Sequence, residues 1–568
     1  MSFFDDASLA FLPSGAAGKD GKAYSIKPTD GTGDFTFSRG SNLAATRVGA
    51  DGLIEKGREN LLLQSNQFDT TWLNTSTTET GGQTGYDGSS DAWKIERVGT
   101  GGYIYQDISV SGVNTISVYA KADTLNWMRL RVGSAPKNSR YFDLENGVIG
   151  SAGTAPIDAK IEAVGTDGWY RCSITTNISI DRVYFYPVPN DGDISGTSGN
   201  ILIQDAQFEI GTLATDYIES GATTGKAGVL EDEPRFDYSG GATCPSLLLE
   251  PSRTNYIRHS EYINESVASW SRFFSTIITN NDAISPDGKN NATKIECPIG
   301  QNARIDAIVV GLAAGTYTYS FYAKGNVSNL DVNIYEDATG DTLSSTAIET
   351  LINDSEWSRV DITFTSTTSS TIRCIYTALT AGEYFYLWGA QLELGSYPTS
   401  YIPNHSGGSV TRGADAMDEQ ISGLTSLDKG TFFIDFDRGL TTATSRDIST
   451  QGFYYETLNT FAGLNQGIEI ATNADGSIRA AVRTSSGFSS LYTNNTLSRF
   501  KILYKWSGTE LKVFVNGSSV YSNSTKWGEI TSALQYIGYN ADFRKSINQV
   551  LVFPEALSDA DCITLTTL

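Results

Sequence analysis

Histidine is the first limit on the chemistry open to this chain: there are two, His259 and His405. His259 lies in a motif whose other copy has Gln64 at the same place, which marks it as ordinary, and His405 lies in a Gly-rich stretch. No Ser–His or Cys–His couple is legible, and a His-rich metal site is excluded. The five cysteines, Cys172, Cys244, Cys297, Cys374 and Cys562, are scattered and show no C-x-x-C spacing. They read as buried or free thiols made in a reducing cytosol, neither a disulfide framework nor a zinc site. There is no G-x-G-x-x-G in a β–α context and no P-loop. Carboxylate chemistry remains, because glycoside cleavage needs only two Asp or Glu at a suitable separation. Among 64 acidic residues nothing singles out a pair. Glu209 and Glu393 recur in A-Q-x-E-x-G, and their expected role is to satisfy buried backbone or arginine groups from a strand.

Sugar recognition needs flat aromatic faces for C–H contact and planar polar groups for hydroxyls. Candidates are Trp72, Trp93, Tyr103, Tyr105 and Trp127, then Trp270, Tyr317, Tyr322 and Trp388, then Trp527, Tyr536 and Tyr539. Core packing is the default expectation for any one of them. Trp127, Trp527 and Tyr539 are the carbohydrate-binding candidates. Thr124 and Asn126 near the first, and Thr525 and Lys526 beside the second, suggest loops. Lys121 and Lys324 read as exposed charges at strand ends.

The elements that must position these residues are written twice. Residues 53–68, LIEKGRENLLLQSNQF, are answered by residues 248–263, LLEPSRTNYIRHSEYI. Glu55, Arg58, Asn60 and Ser65 match Glu250, Arg253, Asn255 and Ser260, each 195 residues on. Further on, Lys94-Ile95-Glu96 matches Lys294-Ile295-Glu296, and Tyr119-Ala120-Lys121 matches Tyr322-Ala323-Lys324. Trp169-Tyr170-Arg171 matches Trp357-Ser358-Arg359, the two A-Q-x-E-x-G segments match, and Tyr217-Ile218 matches Tyr401-Ile402. The order is kept while the spacing drifts, as when loops change length between fixed strands. Arg58, Asn60, Glu209, Arg253, Asn255 and Glu393 are therefore read as a structural repeat motif.

Tyr (29) and Phe (25) far outnumber Met (3), and with 56 Gly the balance favours strands and turns. Alternating runs such as Tyr103–Ile108 and Thr115–Ala120 suit half-buried strands. The predicted class is all-β: two tandem jelly-roll β-sandwiches followed by a third, different sandwich. The divisions are an extended N-terminal docking region (1–56), a first repeat (57–220), a linker strap (221–250), a second repeat (251–404), a hinge (405–425) and a C-terminal sandwich (426–568). In the last, Asn516-Gly517 predicts a hairpin turn and Ser558–Asp561 a capping box for a short final helix. The net charge of −23 argues against nucleic acid and anionic membrane as partners, while neutral glycans and divalent cations are compatible. The N-terminal stretch does not read as a signal peptide, and no apolar run reaches the roughly 18 residues of a membrane span. A soluble protein that leaves the cell by a route such as lysis is expected.

The ordered set R-T-N, K-I-E, Y-A-K, W-x-R, A-Q-x-E-x-G and Y-I resembles the carbohydrate-binding-module-like jelly rolls of tailed-bacteriophage tail- and head-fibre proteins. Residues 426–568 resemble concanavalin A-like, laminin-G-type sandwiches through Leu511–Gly517, Tyr536–Tyr539 and the LSDAD ending. The first copy departs from the pattern in having Arg58-Glu59-Asn60. The resemblance implies a non-enzymatic virion protein, assembled in the host cytoplasm. It would dock on other virion proteins through its N-terminal region, bind a host-surface glycan, and be homo-oligomeric, trimeric by analogy. No cofactor is implied beyond a structural Ca2+, for which Asp475 and Asp542 are candidates. The competing readings are a virion-associated depolymerase working through two carboxylates, which predicts release of reducing ends, and a cellular adhesin, which predicts an export signal.

Overall fold

The computed structural model describes residues 3–15, 18–19, 21–40, 43–265, 267, 269–420, 423–438, 453–456, 466–472, 477–494, 496–540 and 545–568. Among them, helix is confined to Phe3–Asp6, Asp559–Thr566 and a single turn at Trp527–Glu529. The rest of the regular structure is antiparallel sheet, so the all-β class holds.

The first sandwich has two six-stranded sheets. One runs Asp158–Val164, Trp169–Asn177, Val113–Ala122, Gly199–Ile210, Ala92–Arg97, Thr77–Gln83. The other runs Val148–Ala152, Asn138–Asp143, Trp127–Val132, Ile180–Val188, Tyr103–Val110, Leu73–Thr75. Alternation decides the faces: Met128, Leu130 and Val132 point into the core, and Trp127, Arg129 and Arg131 point away. The second sandwich repeats the plan with five strands per sheet. Its central strands Gly315–Lys324 and Tyr384–Leu394 stand for Val113–Ala122 and Gly199–Ile210. Even the irregularities match. The pairing of these central strands slips between Ser117 and Tyr119 and again between Ser320 and Tyr322. The bulged residue is left-handed in both, Asp205 at φ 53° and Gly389 at φ 64°. Gln64 (φ 50°) and His259 (φ 51°) share a second left-handed position.

The third sandwich departs from expectation. One of its sheets includes Arg235–Asp237, Ser246–Leu249, Lys545–Phe553, Lys429–Asp437, Arg499–Ser507, Glu510–Val515 and Ser518–Asn523, with Leu9–Phe11 paired to Lys545–Phe553. The other begins Gly18–Lys19, Lys22–Ala23, Phe35–Ser38, Ala416–Gln420 and continues through Tyr536–Asn540. Residues 1–56, expected as an extended docking region, thus supply strands to both sheets, and Leu9, Phe11, Phe35 and Phe37 are core residues. The strap 221–250 folds back as a strand, as expected, but onto this third sandwich. The hinge 405–425 holds the strands Val410–Arg412 and Ala416–Gln420. In physical terms, these pieces are too apolar on one face to remain linkers. Both local predictions hold: Asn516 and Gly517 have positive φ between paired strands, and the Ser558 side chain caps the final helix by accepting from the Asp561 N–H at 3.1 Å.

The chain therefore starts in the third sandwich, leaves to build the first, returns, leaves to build the second, and returns again. All four crossings meet in one buried ion cluster. Arg39 lies on the first crossing, Arg235 on the second, Glu250 on the third, and Arg412 and Asp415 on the fourth. Arg39 stands 3.3 Å from Asp415, Arg235 2.8 Å from Glu250 and Arg412 2.9 Å from Glu250, and Arg235 also pairs with Asp415. Every side chain in it is fully buried. Burial pushes the Arg39 guanidinium down to about 10 against the opposing pull of Asp415, so it stays charged at neutral pH.

Candidate functional site

The motif residues form a clasp, made identically in both sandwiches. Asn60 donates to the carbonyls of Ala206 (3.0 Å) and Ile218 (2.9 Å) and accepts from the N–H groups of Leu62 and Phe208. Asn255 does the same with Ala390, Ile402, Ile257 and Leu392. Glu209 accepts from Gln207 at 2.7 Å and from the backbone and hydroxyl of Thr215, and Glu393 from Gln391 at 2.7 Å and both groups of Thr399. The Ser65 hydroxyl meets Tyr217 at 2.6 Å, as Ser260 meets Tyr401. Arg253 stacks over Tyr397 near Glu393, and Arg58 lines the seam between the sandwiches. These carboxylates are saturated with donors inside the fold, as a structural role requires.

Of the three carbohydrate-binding candidates, two are core. Trp527 is 1% exposed, stacks on Trp506 with centroids 4.5 Å apart and donates its indole N–H to the Leu427 carbonyl. Tyr539 is 2% exposed in the same core. The loop-like neighbours of Trp527 form a turn that folds the indole back under the sheet. Trp72, Trp270, Tyr317, Trp388 and Tyr536 are likewise buried. Lys121 and Lys324 are half-buried near strand ends. Asp475 and Asp542 lie outside the described residues, and among those described no group of three or more His, Cys, Asp or Glu could hold a metal.

Trp127 lies elsewhere, half-buried on the outer face of a sheet, at the rim of an aromatic platform. Tyr103 and Tyr105 are half-buried beside Tyr184 and Tyr186, with Tyr103–Tyr186 centroids 4.8 Å and Tyr105–Tyr184 centroids 6.0 Å apart. Three guanidinium groups lie over the rings. Arg131 is 4.4 Å from the Tyr184 centroid, Arg182 4.1 Å from Tyr105, and Arg129 5.2 Å from Tyr186 and 5.4 Å from Tyr141. Arg131 also donates to the Tyr186 hydroxyl at 3.2 Å, and Asp107 anchors Arg182. Burial raises the Tyr186 phenol despite the nearby arginines, so it is neutral at neutral pH. Gly150 lets Trp127 lie flat at the rim, since a Cβ there would sit 2.5 Å from the indole.

Strand register identifies the equivalent positions in the second sandwich. There Arg304 and Asp306 stand for Tyr103 and Tyr105, Ile375 and Thr377 for Tyr184 and Tyr186, and Asp331 and Asn333 for Arg129 and Arg131. The fold is built without the platform in one copy, so packing does not demand it in the other. Tyr141, Tyr184, Tyr186 and the three arginines were missed from sequence. The available signal was the contrast of Trp127–Val132 (WMRLRV) with Asp331–Glu336 (DVNIYE), and of RVYFY at 182–186 with RCIYT at 373–377.

A second polar constellation joins the first two sandwiches. Lys56, just before the first, lies 2.9 Å from both oxygens of Glu261 and 2.8 Å from Asp287 in the second. His405 Nε2 stands 3.6 Å from Glu261. Burial would raise the Asp287 carboxyl, but the Lys56 charge outweighs it and holds it below the usual range. Burial lowers His405 and pushes His259 down to about 4.

No family model and no curated protein matches the sequence. Solved structures align with parts of it. Domain 4 of an extracellular GH43 arabinanase from Geobacillus stearothermophilus, in complex with arabinotriose, is 14% identical over 28% of this chain and 77% of that chain, with a TM-score of 0.22. TmCBM61 in complex with β-1,4-galactotriose is 15% identical over 24% of this chain and 97% of that one, with a TM-score of 0.20. The enzymatically active domain of tailspike protein 4 from bacteriophage CBA120 is 11% identical over 25% of this chain and 21% of that one, with a TM-score of 0.21. Each covers under a third of this chain, and none bears on what this chain binds.

Proposed function

We propose that this protein binds a glycan on the outer face of its first sandwich, as a non-enzymatic structural component of a tailed-phage fibre or spike. The observation that carries the glycan reading is the tyrosine–arginine platform, present in one copy of a duplicated sandwich and replaced in the other. The half-buried Tyr103 and Trp127 offer ring surface to sugar C–H groups, and the guanidinium groups packed over Tyr105, Tyr184 and Tyr186 offer paired donors to hydroxyls or carboxylates. Three arginines on one face of a chain of net charge −23 favour an acidic polysaccharide over a neutral one. The virion setting rests on the sequence resemblance, together with homo-oligomerisation. Because Leu9–Phe11 and Phe35–Ser38 belong to the third sandwich, that body carries the contact to the particle.

The depolymerase reading needs a carboxyl kept protonated by a raised pKa. The carboxylates that meet between the sandwiches, Glu261 and Asp287, share Lys56, and Asp287 moves the wrong way for a general acid. Asp205, whose carboxyl burial does push up, is closed off from solvent and bonded to Tyr86. The test is binding of purified protein to an immobilised acidic capsular polysaccharide, with reducing ends assayed alongside. Replacing both Tyr103 and Tyr105 by Ala is expected to weaken binding at least tenfold, with no reducing ends released by either protein. Undiminished binding by a folded double variant would sink the platform, and new reducing ends would sink the non-enzymatic reading.

A further inference from the structure

A cleft of about 280 Å³ opens along the seam between the first and second sandwiches. Its walls come from both: Arg58, Ile210 and Thr212 on one side, Asn291, His405 and Val410 on the other. The carboxylates at its inner end are already committed. Glu261 and Asp287 hold Lys56, and Asn291 donates to Glu261 at 3.1 Å and to Asp287 at 3.2 Å. What is not committed is a set of polar atoms on four of the lining residues. Thr212 Oγ1, Asn291 Oδ1, His405 Nδ1 and Arg58 Nη1 are buried and have no hydrogen-bond partner among the described residues. The Thr212 and Asn291 residues are each 3% exposed and His405 8%. Buried polar atoms of native folds are paired by protein, water or ligand, so these four call for a partner from outside the chain.

The chemistry of the set defines the guest. Arg58 offers donors, Asn291 an acceptor, and Thr212 and His405 can each do either. A cation is disfavoured because the carboxylates at the acidic end are already engaged by Lys56 and Asn291. An anion is disfavoured because Glu59, Glu209 and Glu231 also line the cleft. The apolar side, with Leu43, Ile210, Leu213 and Val410, suits a carbon skeleton. Ligand pockets for drug-sized molecules begin at roughly 300 Å³, so the space suits one sugar ring rather than a chain. We infer that the seam binds a small neutral polyhydroxylated molecule, one monosaccharide residue in size, gripped by side chains of both sandwiches. The site is separate from the platform and does not rest on it.

The test titrates the full chain with D-glucose, D-galactose and N-acetyl-D-glucosamine, following heat of binding and the thermal unfolding midpoint. At least one sugar is expected to bind and raise the midpoint, because a ligand held only by the native state stabilises it. Thr212→Val removes a hydroxyl that has no partner among the described residues, so it should leave the unliganded midpoint unchanged or higher while weakening that sugar at least tenfold. Arg58→Ala should weaken it as well, and Tyr103→Ala with Tyr105→Ala should not. The proposal is overturned if no sugar shifts the midpoint, if inorganic phosphate does so while sugars do not, or if folded Thr212→Val binds as tightly as the parent. Loss of sugar binding in the Tyr103/Tyr105 double variant alone would place the sugar on the platform and equally overturn it.

Discussion

Asp205 occupies the left-handed bulge that Gly389 fills in the second sandwich, and it brings a carboxyl with it. The Tyr86 hydroxyl donates to it at 2.9 Å, and Tyr86 itself stacks on Tyr119 with centroids 4.0 Å apart. Burial outweighs these hydrogen bonds and pushes the carboxyl up to about 6. A raised acid favours the native state below its unfolded value, and that advantage is lost as pH climbs through 6. At neutral pH the ionised group therefore works against the fold, by about 3 kcal/mol at most. Asparagine tolerates positive φ and keeps an acceptor for Tyr86. Asp205→Asn should raise the unfolding free energy by about 1–3 kcal/mol at pH 7.5 and by about a third of that at pH 4.5, as read by urea denaturation at the two values. His259, pushed down to about 4, acts in the opposite sense, since its contribution is full above 6.5 and lost as pH falls towards 4. The difference between variant and parent cancels it, so an Asp205→Asn gain that does not depend on pH would contradict the assignment.

At the scale of elements, the junction of crossings carries the sharpest expectation. Removing Arg235 leaves Glu250 and Asp415 buried beside fewer positive charges, and breaking a buried ion network of this kind costs about 3–5 kcal/mol. Arg235→Ala should lose that much in chemical denaturation, whereas Arg47→Ala, at a half-exposed pair with Glu55, should lose under about 1 kcal/mol. The same scale explains what sequence could disclose. The clasp was visible because both copies keep Asn, Glu and Tyr in order, and two copies of a satisfied network act as their own alignment. The platform was hidden because it exists once, and each member sits at an ordinary outward position of an alternating strand. Trp127, Tyr103 and Tyr105 could be named but not grouped, since strands distant in sequence bring them together. Trp527 was misread because Thr525 and Lys526 describe the turn and not the direction of the indole.

For the molecule as a whole, local pattern said least about the third sandwich. Leu9–Phe11 and Phe35–Ser38 look like short pieces between glycines, and nothing in their periodicity points to partners at Val550–Val552 and Ala416–Asp418. Four of their side chains, Leu9, Phe11, Phe35 and Phe37, lie in its core. Burying them is worth about 6–12 kcal/mol at 1.5–3 kcal/mol each. Deleting residues 1–38 should therefore unfold the third sandwich and leave the first two intact. Hydrogen exchange would report this as lost protection in Lys429–Asp437 and Lys545–Phe553, with Val113–Ala122 and Gly315–Lys324 unchanged. Retained protection in the first two strands would contradict the pairing.

The bond between the Ser8 amide and the Val552 carbonyl spans 544 residues of chain. At translation speeds of about 5–20 residues per second, the opening segment waits roughly half a minute to two minutes for its partner to emerge. The two inserted sandwiches have no such wait, so they can finish first and keep the apolar ends Leu9–Phe11 and Phe35–Ser38 tethered nearby. A nascent chain stalled before residue 545 would thus be a working pair of modules trailing an exposed, adhesive hem, and a chaperone that shields that hem is what its biogenesis would call for.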